Sequence, residues 1–264
     1  MATMPQRFQH DRDIDRLVRE YQRAGRDISQ LLRRLTSIGG QPGQYTAETQ
    51  QILNELSAET DLELRSIVAA ALYESSDKAA QLVKGLPLSN TGLAAVQAEA
   101  VDQLYGELTD SLMQARNTVR SQVKAVIHNI GRREVLLSLL GDTARDSRIK
   151  TSEQLAASLR QQGITGFVDK AGKRWKLDTY AEMFVRTKTR EAVTQGAVTR
   201  YAAHGVTMVQ ISSHASSCQI CEPLQGRVMR LDGQLEAVNG VNIYALQLPP
   251  FHPNCRHVVL PYIP

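Results

Sequence analysis

Apolar residues recur at spacings of three and four through most of the first half of the chain. Over residues 10–37 the stripe is Ile14, Leu17, Val18, Tyr21, Ile28, Leu31, Leu32 and Leu35, the pattern of one buried face of an α-helix. Gly39-Gly40 and Pro42-Gly43 end it, since neither residue type readily continues a helix. A second helix is predicted from about Thr46 to Lys84, on Ile52, Leu53, Leu56, Leu64, Ile67, Val68 and Leu72. Gly85 and Pro87 stop it, and the polar run Glu74-Ser75-Ser76-Asp77 is a place where it can break earlier. A third helical stretch spans about 90–140, on Leu93, Val96, Val101, Leu104, Leu108, Leu112, Val119, Val123, Val126, Ile127 and Ile130. Gly131 is expected to divide it before Val135-Leu136-Leu137. Long helices with short polar joints imply a bundle or extended hairpins.

The pattern changes after Gly141. Residues 141–150 are polar and charged and read as a linker; a short helix is predicted over 151–161, capped by Thr151 or Ser152. Residues 163–177 read as a β-hairpin, with Phe167-Val168 and Trp175 on its arms and Asp169-Lys170-Ala171-Gly172 at its turn. Thr179-Tyr180-Ala181-Glu182 is a capping-box pattern that opens a helix to His204, with Gly205 as the residue past its end. Strands are predicted over 206–212, 227–231 and 257–260. The fold class is α+β: a long-helix region over 1–145, then a smaller α+β domain over 146–264.

Composition narrows the function classes. The 264 residues are 42% hydrophobic and 22% charged, an ordinary globular balance. No apolar run approaches the roughly 20 residues that span a bilayer, so no membrane association is expected. The first residues, MATMPQRFQHDRDIDR, lack the apolar core of a secretory signal. The net charge of +4 is uneven: 51–100 hold 3 basic and 7 acidic residues, whereas 151–200 hold 9 and 5. Lys170, Lys173, Arg174 and Lys176 interleave with Trp175, a candidate contact for a nucleic-acid backbone. The plainer reading is a solvated hairpin edge beside a core tryptophan.

The three cysteines all lie in the last 47 residues, too few and odd in number for a disulfide framework. Cys218-x2-Cys221 is followed 30 residues later by His252-x2-Cys255. Four N/S donors in two close pairs suit a closed, tetrahedral, structural Zn²⁺ site. Pro223, Pro249-Pro250 and Pro253 bracket the pairs and pre-set their turns. A redox pair or merely buried thiols are the other readings, although no thioredoxin-like pattern surrounds Cys218 and Cys221. His214 and His257 are further candidates for the fourth donor. On the helix from 179, Thr187, Arg190 and Glu191 sit on an otherwise apolar stripe. They form either a polar site, with Arg190 binding an anionic or carbonyl group, or a satisfied network tying the helix to its neighbours. A Glu182–Arg186 pair is also expected at i,i+4. Gly-rich phosphate loops, G-x-S-x-G and H-E-x-x-H are absent from the sequence.

Five segments carry a family resemblance: Trp175-Lys176-Leu177-Asp178-Thr179-Tyr180-Ala181-Glu182-Met183, Arg186-Thr187-Lys188-Thr189-Arg190-Glu191, Val209-Gln210-Ile211-Ser212-Ser213-His214, Cys218-x2-Cys221-x-Pro223 and Pro250-x-His252-Pro253-Asn254-Cys255-Arg256-His257. Over about 160–264 the chain resembles tailed-phage minor capsid proteins related to the phage Mu head-morphogenesis protein. The resemblance implies a virion protein in a few copies per particle, at the portal vertex or inside the head, present in the host cytoplasm during assembly. It implies portal protein or major capsid protein as partners, packaged DNA as a further contact, and a head-assembly role rather than an enzymatic one. The family's Cys and His positions fall on Cys218, Cys221, His252 and Cys255. Some relatives end the last motif in Cys-Arg-Cys; here it is Cys255-Arg256-His257, which opens a ligand place to His257. The alternatives are a metal-dependent enzyme, a nuclease or transferase-like toxin, or a nonspecific DNA-binding virion protein. Related C-terminal domains are fused to toxins, but no further domain follows Pro264, so a toxin is not the expectation.

Overall fold

The computed structural model describes residues 10–38, 41–89, 92–139, 166–168, 172–214 and 218–264. Three long helices come first: α1 (Asp11–Ile38), α2 (Pro42–Leu82) and α3 (Leu93–Leu139). A two-stranded hairpin follows, β1 (Gly166–Val168) and β2 (Arg174–Lys176), and leads into α4 (Leu177–Ala203). The rest is β3 (Met208–Ile211), a single 3-10 turn at Glu222–Leu224, β4 (Val228–Arg230), β5 (Ile243–Tyr244) and β6 (Val259–Pro261). This is the α+β class read from the pattern. The predicted linker 141–150, the helix over 151–161 and the hairpin turn residues 169–171 lie outside the described residues.

Three expectations are corrected. α2 does not break at Glu74–Asp77, because that run is satisfied by tertiary partners. Ser75 donates to the Val193 carbonyl at 2.6 Å, while Ser76 accepts from Gln97 at 2.6 Å and from Arg200 at 2.9 Å. α3 runs through Gly131 undivided; one glycine costs a helix only about 1 kcal/mol, which neighbouring turns absorb. α4 already begins at Leu177, which places Thr179 and Glu182 inside the helix rather than at its cap. The pattern also missed β5, two residues long and therefore too short to alternate.

The chain divides into two compact units. One takes Asp15–Leu62 and Thr109–Glu182. Its core is Leu17, Val18, Tyr21, Ile28, Leu31, Leu32 and Leu35 of α1 with Leu53 and Leu56 of α2 and Leu112, Val119, Val123 and Ile127 of α3, all buried. Fully buried Tyr21 accepts a hydrogen bond from Arg116 at 3.2 Å, and burial raises its phenol pKa above the usual value. The hairpin also lies here, with Phe167 opposite Trp175, and Trp175 packs edge-on against Tyr180 at 5.8 Å.

The other unit takes Glu63–Leu108 and Met183–Pro264, with the chain up to Ile14. Its four-stranded sheet has the order β5-β4-β3-β6, with β3 antiparallel to both neighbours and β4 parallel to β5. Val209, Ile211, Met229 and Val259 from the sheet pack on Ala79 of α2, Val83 just past its end, and Ala197 and Tyr201 of α4. Burial pushes the Tyr201 phenol up to about 12, and its hydroxyl donates to the Val259 carbonyl at 3.4 Å. Where α4 stops, Gly205 N–H bonds the Ala202 carbonyl and Val206 N–H bonds the Tyr201 carbonyl, both at 3.0 Å. That pair of bonds closes a helix when its last residue is left-handed, and Gly205 has φ 75. Gly205→Ala is therefore expected to cost about 1 kcal/mol, the penalty of a Cβ in that conformation. A urea-denaturation midpoint checks it, and an unchanged midpoint contradicts it.

Candidate metal centre

Two tight turns present the thiols. In the first, the Cys221 and Glu222 N–H groups both donate to the Cys218 carbonyl, at 3.0 and 2.9 Å. In the second, Cys255 N–H donates to the His252 carbonyl at 3.1 Å. A four-residue turn holds two residues between its ends, so the x2 spacing places each ligand pair at the two ends of one turn. The second turn has Pro253 then Asn254 at φ 66, a type II signature. Sheet pairing holds the two turns in place. Ser212, just past β3, donates its N–H to the Val258 carbonyl at 2.9 Å, and Val258 N–H donates back to Ser212 Oγ at 3.0 Å.

The donors converge. Cys221 and Cys255 are buried, with their sulfurs 3.9 Å apart. His252 Nε2 lies 3.0 Å from Cys221 Sγ and 3.2 Å from Cys218 Sγ. Its Nδ1 is 2.6 Å from the Pro253 carbonyl. A carbonyl only accepts, so Nδ1 carries the proton and Nε2 turns a lone pair toward the two sulfurs. His257 Nδ1 is 3.7 Å from Cys255 Sγ. The result is two three-donor groups, Cys218–Cys221–His252 and Cys221–Cys255–His257, which share Cys221.

The donors differ in their electrostatics. Burial, then the hydrogen bond with Cys218 and the negative charge of Cys255, push the Cys221 thiol up to about 12. Exposed Cys218 moves the other way, because the Cys221 and Ile220 N–H groups point at its sulfur and stabilise a thiolate. Burial lowers His257, and the His214 and His252 rings add to that, so its neutral, ligating form is favoured. Buried polar groups ordinarily find partners, yet His257 Nε2 has none among the described residues. The donor types and their spacing fit a tetrahedral, thiophilic ion, with Cys218, Cys221, His252, Cys255 and His257 available to hold it.

The other candidate residues are placed as follows. Thr187 donates to the Met183 carbonyl one turn back, at 2.8 Å. Glu191 accepts from Lys188 at 2.8 Å, and Lys188 also pairs with Glu107. Arg190 is half-buried on α4; burial lowers its pKa, opposed by the negative charges of Asp11 and Cys255. Arg186 pairs with Asp11 at 2.6 Å. Lys170 lies outside the described residues, Lys173 sits 3.8 Å above the Trp175 ring, and Arg174 and Lys176 are exposed. Sequence reasoning missed Ser212, 3.1 Å from His214 Nε2, and Gln225, whose Oε1 accepts the His214 N–H at 2.5 Å. No spacing signal marks either one, since they support the site through the sheet rather than as donors. His214 itself stacks edge-on against His257 at 4.6 Å.

A sequence model of phage minor capsid protein 2 matches residues 13–264. The chain belongs to that family. The match takes in the long helices as well as the region of resemblance over 160–264, so the N-terminal half is part of the family's sequence rather than an unrelated addition. This minor capsid protein is accordingly a bacteriophage structural component of the virion, not an enzyme, and it works through contact with capsid components. Among its described residues no helix is long and apolar enough to cross a membrane. No curated protein and no solved structure matches the chain.

Proposed function

We propose that this minor capsid protein is a head-morphogenesis component of the portal vertex or inner head, present in several copies, with a structural zinc site in its C-terminal part. In this reading residues 1–145 dock on portal or major capsid protein, and 146–264 form a rigid module. Cys218, Cys221, His252 and Cys255 are its proposed zinc ligands. The zinc, once bound, would tie two chain segments 30 residues apart into one unit and lower the entropy of the long loop between them. The observation that carries the metal half of the reading is the approach of N/S donors around Cys221: its sulfur lies 3.9 Å from the buried Cys255 sulfur and 3.0 Å from the bare Nε2 of half-buried His252. Head association is supported by the family match.

Both halves have a direct test. Chain purified under reducing conditions is expected to carry about one zinc ion per molecule by elemental analysis; none in carefully prepared protein removes the zinc reading. Immunodetection is expected to find the chain with portal protein in procapsids and in mature particles. Absence from both removes the head-assembly reading.

A further inference from the structure

We propose that His257 is a ligand of the same ion, so that five donors share four places: Cys221, Cys255 and His257 stay bound while Cys218 and His252 alternate in the fourth. The inference rests on the zinc reading above and amends its ligand set.

Spacing is the first argument. With Zn–S near 2.3 Å and Zn–N near 2.0–2.1 Å, tetrahedral ligands stand about 3.8 Å apart for S···S and about 3.6 Å for S···N. The Cys221–Cys255 separation is 3.9 Å and the Cys255–His257 separation 3.7 Å. Both are ligand spacings already. At 3.2 Å, His252 Nε2 and Cys218 Sγ are too close to be ligands of one tetrahedral ion together, which leaves one place for the two of them, and His252 takes it only by drawing back from Cys221, now 3.0 Å away.

Burial is the second. Cys221, Cys255 and His257 are all buried, whereas Cys218 is exposed and His252 half-buried. A seat inside, with two donors at its rim, gives an ion that three side chains retain and one of two closes.

The test is a chelator competition on the zinc-loaded full chain. His252→Ala and Cys218→Ser are each expected to keep about one zinc per chain, with affinity within roughly tenfold of the parent. His257→Ala and His257→Phe are expected to lose about 100-fold or more, beyond what disturbing an outer-shell partner costs. His257→Cys is expected to restore retention. In the cobalt-loaded form it should also intensify thiolate-to-metal charge transfer, because the ion gains a sulfur. Restoration by cysteine but not by phenylalanine separates ligation from packing or misfolding. The inference is overturned if His257→Cys loses zinc as fully as His257→Phe, or if His257→Ala keeps parental affinity while His252→Ala loses it. The last outcome leaves the zinc reading standing with its original four ligands. A parent chain that binds no zinc instead removes the reading underneath.

Discussion

Cys221→Ser is expected to abolish zinc retention and loosen the C-terminal sheet, a larger effect than that of either rim change, Cys218→Ser or His252→Ala. Cys221 is the one residue common to both three-donor groups, so neither group survives its loss as a metal seat. Serine is nearly isosteric, which removes the cavity effect that complicates larger truncations. What changes is chemistry: a hydroxyl neither ionises readily nor offers a soft donor. Structural zinc ligation in small domains is worth about 10–16 kcal/mol at neutral pH, comparable with the whole stability of a typical domain, about 5–15 kcal/mol. Even a part of that linkage should lower the stability of the sheet by about 3 kcal/mol or more. The turns carrying the ligands are bonded to β3 and β6 through Ser212 and Val258, so the loss should appear first in the amides of those strands. Hydrogen exchange is expected to accelerate at Ile211 and Val259 while the buried stripe of α1, which contains no ligand, keeps its protection. A Cys221→Ser chain that holds one zinc with parental exchange rates contradicts this account.

How much of this was legible beforehand follows the physics of each feature. The stripes of α1, α2 and α3 were readable because a helix repeats its face every three to four residues, and Leu17, Leu53 and Leu112 are buried as their positions require. The interruptions misled for a related reason. Ser75, Ser76 and Gly131 weaken a helix locally, and no pattern along the chain shows that Val193, Gln97 and Arg200 await the two serines from other helices. The turns at Cys218–Cys221 and His252–Cys255 were readable because a turn is a local object with a fixed number of residues. The overlap of their donors at Cys221, and the approach of His257 to Cys255, were not. Both depend on β3 pairing with β6, a contact between residues about 50 positions apart that brings Ser212 to Val258. Glu191 shows the same limit in reverse. Its neighbour in sequence is Arg190, but the helix turns it to Lys188, three residues back, and the structure pairs them.

Gly196→Ala is expected to destabilise the protein by about 3 kcal/mol or more, although Gly→Ala within a helix ordinarily adds up to about 1 kcal/mol. The reversal comes from the crossing of α4 with α2. A Cβ on Gly196 would lie 2.1 Å from the Leu72 carbonyl oxygen, 2.9 Å from its carbonyl carbon and 3.2 Å from its Cα. All three are backbone atoms of another helix, so no flexible side chain can swing away and the helices must part. They cannot part freely, because Ser75 grips the Val193 carbonyl on one side of the crossing and Arg200 grips Ser76 on the other. Separation enough to admit a methyl stretches both bonds and opens the packing of Ala197 and Tyr201 beneath the sheet. Gly106→Ala, on α3, is the control: nothing lies within 4 Å of its added Cβ, so the helix gain of up to about 1 kcal/mol should be realised. Denaturant midpoints of the two variants should move in opposite directions, and equal shifts would refute the crossing argument. The consequence extends to the metal centre. Tyr201 supports Val259 of β6 from below, and β6 leads directly from Cys255 and His257. A displaced α4 is therefore expected to weaken zinc retention in Gly196→Ala without any ligand having been touched, which ties the helix packing to the site it holds in register.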